Sequence, residues 1–220
     1  MRVVGVDIGS VKTPSKFAWA AVDSLEQPVV SSGVDPESAV QALVQSLASD
    51  GRAVLSIEAP MAIPVPAPNG DDWQWLGRAR AGEGNRPWSA GAGAGALATG
   101  IAQTAWILSR LHALAPHTTA TTQTQRFRDG QAQLLLSEAF VSATGKPVPV
   151  PAGQHAADAE AAARATLTYL TRGAEGFPEV ACAPRRAINL LAVLATWSNV
   201  PILPDEVHQD VLVIRTQPVT

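Results

Sequence analysis

The chain has 220 residues, 46% of them hydrophobic and 16% charged, with a net charge of −3 at neutral pH. That balance excludes a disordered chain and suits one sizeable core. With Lys12, Lys16 and Lys146 as its only lysines, it also argues against a tight, general nucleic-acid binder, whose affinity rests on many basic contacts to phosphate. The lone cysteine, Cys182, excludes an internal disulfide and a thiolate metal cluster and reads as a small buried hydrophobe. No run reaches about 18 uninterrupted apolar residues, so no membrane span is expected. The opening residues carry no secretory pattern, so a cytoplasmic location is expected.

The β-branched run 2–8, followed by 17–22 and 28–34 after short polar turns, predicts three antiparallel strands. Asp35 reads as the N-cap of a helix over 36–49, with Pro36 at its first position and Asp50-Gly51 as its stop. Residues 53–59 read as a fourth, fully buried strand. The stretch 60–95 is rich in proline and glycine and carries Trp73, Trp75 and Trp88 with Arg78, Arg80 and Arg86. An irregular insertion of that length is uncommon unless it is functional or mobile. Trp73 and Trp75 are expected as local core beneath it. The Gly-Ala run 91–100 lacks the Gly-Lys-Ser/Thr ending of a phosphate loop and reads as close packing of a helix start. A helix over 97–114, a fifth strand over 132–143, a helix over 153–171, a helix near 184–198 and a strand over 211–215 complete the chain. The expected fold is a single α/β domain over 1–220. Its mixed sheet has three antiparallel strands, then parallel ones, with helices on both faces and a C-terminal helix–strand addition.

Acidic residues at the ends of these elements carry the chemistry. Asp7 ends the first strand, Glu58 the fourth, Glu138 lies in the fifth, and Asp158 sits early in the helix over 153–171. A carboxylate at the end of an apolar strand is costly to desolvate unless a partner compensates. Several such groups gathered at one place repel one another, and a hard divalent cation relieves that repulsion. Each also has a plainer reading. Asp7 can serve the Gly9-Ser10 turn, Glu58 can face solvent from an edge strand, and Asp158 can stabilise a helix start through the dipole. Glu138 can be the buried partner of Arg78, Arg80 or Arg86. His155 lies three residues before Asp158 and so shares its helix face, whereas Glu160 points elsewhere and reads as solvated.

Asp7 in a leading strand, Ile57-Glu58-Ala59-Pro60 after the fourth strand, Glu138-Ala139-Phe140, and His155-Ala156-Ala157-Asp158-Ala159 on a helix resemble the RNase H-like superfamily. The likeness is to its RuvC-like branch and to a bacterial family of uncharacterised predicted RNase H-like nucleases. It covers roughly residues 1–172 and rests on the order of short motifs and on their element types. It implies an RNase H-like fold and a divalent-metal-dependent nuclease. Asp7, Glu58 and Asp158 would ligate Mg²⁺ or Mn²⁺, with Glu138 or His155 completing the site. Arg78, Arg80, Arg86 and Trp88 of the insertion would contact substrate. Unlike resolvases, this chain is acidic and nearly free of lysine, which keeps open a non-catalytic ligand- or partner-binding protein on the same scaffold. Nucleic acid is thus a partner by resemblance rather than by charge, and a homodimer is left open. The opening Asp7-Ile8-Gly9-Ser10 also resembles actin-like kinases, but the chain is too short for two such lobes. If the metal reading holds, the three carboxylates should lie about 4–8 Å apart. In the absence of metal, their repulsion should raise at least one pKa.

Overall fold

In a computed structural model that describes residues 1–13, 16–66, 68, 72–83, 88–141, 145–173 and 186–216, the leading β-branched run forms β1 (Arg2–Asp7). It pairs antiparallel with β2 (Ala18–Val22), which pairs antiparallel with β3 (Ser31–Gly33). The third strand is shorter than its pattern suggests. Helix α1 (Pro36–Asp50) then starts where Asp35 caps it, its Oδ1 accepting from the Ser38 N–H at 2.8 Å. It stops at Gly51, whose φ of 68° is left-handed. The chain returns as β4 (Ala53–Glu58), parallel to β1.

Within the stretch 60–95, β5 (Ala62–Pro64) and a 3₁₀ turn over Asp72–Trp75 are ordered. Helix α2 (Gly91–Leu114) begins six residues before its expected start, within the Gly-Ala run. Close packing there occurs at Gly100, where a Cβ would lie 2.6 Å from that of Ala59, whereas Gly91 and Gly95 face open space. Trp73 is 70% exposed and Trp75 36%, so neither is core. The Trp75 ring is instead covered from outside by the Arg78 guanidinium at 4.7 Å.

Short β6 (Ala120–Thr121) and α3 (Thr124–Arg128) precede β7 (Leu134–Phe140), which lies parallel to β4. The alanine-rich helix is α4 (Gln154–Arg172). After it come β8 (Ala187–Asn189), α5 (Leu190–Trp197) and β9 (Val213–Arg215). The expected helix near 184–198 is thus shorter and preceded by a strand, and Cys182 lies outside the described residues. β5 and β8 form a separate antiparallel pair. Three-residue strands, one containing proline, are too short to show a period, and their pairing joins residues far apart in sequence.

Among the described residues, the main sheet has seven strands in the order β3-β2-β1-β4-β7-β6, with β9 also on β7. This is the RNase H-like α/β arrangement: antiparallel strands first, then parallel ones. β6 pairs with the start of β7 and β9 with its end, so both lie along its outer edge. Side-chain alternation assigns the layers. Val4, Val6, Leu55, Ile57, Leu134 and Leu136 point into the core shared with α1, α2 and α5. Val3, Val54 and Leu135 point the other way, against Ala163 and Leu167 of α4. Alanines let α4 come very close. A Cβ on Gly5 would collide with the Ala159 carbonyl oxygen and lie 2.7 Å from the Ala163 nitrogen. No helix among the described residues is long and apolar enough to cross a membrane.

Candidate metal centre

The parallel register of β1 and β4 sets Asp7 directly beside Glu58 at the carboxyl ends of the two strands. Both occupy the alternation that includes Val3, Gly5 and Val54, so both face α4. The close approach at Gly5 brings the second turn of α4 against them, and Asp158 completes a triad. Carboxylate oxygens of Asp7, Glu58 and Asp158 lie within 4.8 Å of one another. Asp7 and Asp158 are 4% and 2% exposed, while Glu58 keeps an open side.

Cationic and polar groups from the same helix and the preceding segment brace the triad. His155 Nδ1 meets Asp7 Oδ2 at 2.8 Å, so His155 borders the cluster from a half-exposed position. Lys146 Nζ donates to Asp158 Oδ2 at 2.8 Å, and Gln154 Nε2 donates to Asp158 Oδ1 at 2.6 Å. Neither residue was singled out from the sequence. Gln154 lies one helical turn before Asp158, which is a usable signal. Lys146 sits in an irregular segment, and only the rarity of lysine in this chain draws attention to it.

Burial, more than repulsion, dominates the electrostatics. Desolvation pushes Asp7 up to about 6, against the opposing pull of His155 and of its hydrogen bonds. Glu58 is raised well above the ordinary carboxyl range. Burial is the main cause, followed by repulsion from Asp7 and Asp158 and by a hydrogen bond to Asp7. A site that makes ionised carboxylates costly gains from any cation that restores their charge. The donor set is all oxygen, which fits a hard cation such as Mg²⁺ or Mn²⁺ rather than a thiolate-preferring metal.

Glu138 does not join the triad. Its β7 position is in register with Ile57, one residue before Glu58, so it points to the opposite face of the sheet. There Arg80 reaches it with a two-pronged contact, Nη1 to Oε2 at 2.8 Å and Nη2 to Oε1 at 2.6 Å. Oε2 also accepts from the Met61 and Ala62 N–H groups. Arg80 is itself buried, and its Nε donates to Glu83 Oε1 at 3.0 Å. Arg80 and Glu138 therefore anchor the insertion to the sheet, as in the alternative reading of Glu138 as the buried partner of an arginine. Arg78 is exposed against Trp75. Trp88 is half-buried, its indole N–H donating to the Arg78 carbonyl at 2.9 Å. Arg86 lies outside the described residues. Glu160 pairs with Arg164 at 2.7 Å on another face of α4.

No protein-family model, curated protein or solved structure matches the chain.

Proposed function

We propose that the protein is a cytoplasmic, divalent-metal-dependent phosphodiesterase of RNase H-like type acting on nucleic acid. The observation that carries this reading is the desolvated triad of Asp7, Glu58 and Asp158, with oxygens within 4.8 Å, outside the carboxyl ends of two parallel strands. These residues would hold Mg²⁺ or Mn²⁺. When bound, such cations activate water and offset charge on the departing oxygen. His155, oriented by Asp7 and partly open to solvent, is placed to exchange a proton at the edge of the site. Lys146 pairs with Asp158 and supplies positive charge beside the triad. The decisive experiment is cleavage of labelled single-stranded, duplex and branched substrates with Mg²⁺ or Mn²⁺, alongside Asp7→Asn. Metal-dependent cleavage lost in the variant supports the proposal. Equal inertness of both proteins on every substrate removes it.

A second reading, a ligand- or partner-binding protein without hydrolysis, is favoured by the net charge of −3 and the scarcity of lysine. It predicts that Mg²⁺ or Mn²⁺ raises the melting temperature while no substrate is cut.

A further inference from the structure

We propose that the face made by α2 and α5 is the interface of a symmetric homodimer, in which the exposed tryptophans of each copy enter the groove of the other. The proposal uses none of the residues of the carboxylate triad and is independent of the metal-dependent reading above.

Composition and burial disagree on this face. From Gly91 to Ser109, α2 carries no charged residue, and neither does α5 over Leu190–Trp197. A helix apolar on every side is expected to be buried on every side. One side of α2 meets that expectation, with Ile107, Leu108 and Leu111 packed into the core. The other side does not. Ile101 of α2 and Val193 of α5 are exposed, Trp106 is 45% exposed and Trp197 69%. The Ser198 hydroxyl, just past α5, donates to the Ala105 carbonyl at 3.0 Å and pins the two helices together. A groove of about 690 Å³ opens on them, lined by Ala102, Ala105 and Leu194 together with the two tryptophans.

Shape, charge and area together select a second copy as what covers it. A two-fold interface uses the same patch on both partners, so that patch must hold projections and recesses at once. Here two large rings stand beside a groove walled by small side chains, all on the same two helices. An uncharged patch also meets itself without like-charge repulsion, and among the described residues no charged side chain lines the groove. Loss of charge with gain of tryptophan is the composition of an interface core. A helix lying on a lipid surface instead carries Lys and Arg along its polar face. The first basic residue of α2, Arg110, is paired with Glu37 of α1. At about 1.5 Å per residue and about 10 Å of width, the 24 residues of α2 and the 8 of α5 offer a footprint of about 500 Å². Two copies then bury about 1,000 Å², the lower end for a specific interface, which makes the dimer weak and reversible.

The test is analytical ultracentrifugation of the full chain over a range of concentrations. An interface of this size is expected to give a Kd of about 1–100 μM, so the mass should rise from 22.9 kDa towards twice that value across this range. Trp197→Glu and Trp106→Glu each bring a carboxylate into the interface and should weaken the dimer at least about tenfold. Trp73→Glu changes a ring as exposed as Trp197 but outside the groove, and should leave the dimer as it is. Circular dichroism checks that each variant is folded, and one folded groove variant is enough to decide. The proposal is overturned if the wild-type chain stays monomeric throughout, if a folded groove variant dimerises as wild type does, or if Trp73→Glu is equally disruptive. Flotation with vesicles of anionic phospholipid runs alongside. Capture of the chain by the vesicles as a monomer would make this face a lipid-binding surface and overturns the dimer as well. None of these outcomes bears on the carboxylate triad, whose own readout is the melting shift with Mg²⁺ or Mn²⁺.

Discussion

Replacing Asp7 with asparagine should stabilise the metal-free protein at alkaline pH. Asp7 is 4% exposed, and its carboxyl is raised from the usual 3.8 to about 6. At about 1.4 kcal/mol per pH unit, keeping it ionised in the fold costs about 3 kcal/mol. The sign follows from linkage: a carboxyl raised in the folded state favours the fold below pH 3.8, and that advantage is lost as pH climbs through about 6. Glu58, also raised, extends the loss further upward. Asparagine never ionises, so Asp7→Asn escapes this cost. It weakens the contact with His155, worth about 1 kcal/mol, for a net gain of about 2 kcal/mol. For a chain of this size that is about 4–8 °C in melting temperature. The assay is urea unfolding of both proteins in EDTA at pH 8 and pH 4.5, with melting scans with and without Mn²⁺. The variant should be the more stable at pH 8, lose that lead at pH 4.5, and gain little from Mn²⁺ where wild type gains clearly. A variant less stable than wild type at pH 8 in EDTA would refute the desolvation argument.

Three further substitutions separate the triad from its surroundings. Arg80→Met leaves Glu138 buried without its guanidinium and should cost about 3–5 kcal/mol in urea unfolding. The metal-induced melting shift should survive, and its disappearance would return Glu138 to the site. Gly5→Ala sets a methyl against Ala159 and Ala163, forcing α4 outward. It should cost about 1–3 kcal/mol by calorimetry and weaken metal binding, and an unchanged protein would show that the helix tolerates displacement. Lys146→Met removes a cation that competes for Asp158 Oδ2. Because this lysine is partly exposed, the gain should be modest, a Mg²⁺ affinity about two- to fivefold tighter by titration calorimetry. Weaker binding would make Lys146 a positioning group rather than a competitor.

The sequence alone determined which residues could carry chemistry and most of the elements that hold them. β-branched runs, the Asp35 cap, the Gly51 stop and the alanine-rich helix are local features, and local features set local conformation. A strand-ending carboxylate can therefore be read at Asp7 and Glu58 without a structure. Which face each acid serves is a different matter. The pairing of Asp7 with Glu58, and of Glu138 with Ile57, joins residues far apart in the chain. A one-residue difference in register turns a side chain to the other side of the sheet. Glu138 and Glu58 look alike as sequence, yet one anchors Arg80 and the other faces Asp158. The raised carboxyls of Asp7 and Glu58 and the pairing of Lys146 with Asp158 arise likewise only once α4 has closed over Gly5. Desolvation and charge proximity depend on tertiary distance, and tertiary distance is what the order of residues along the chain leaves open.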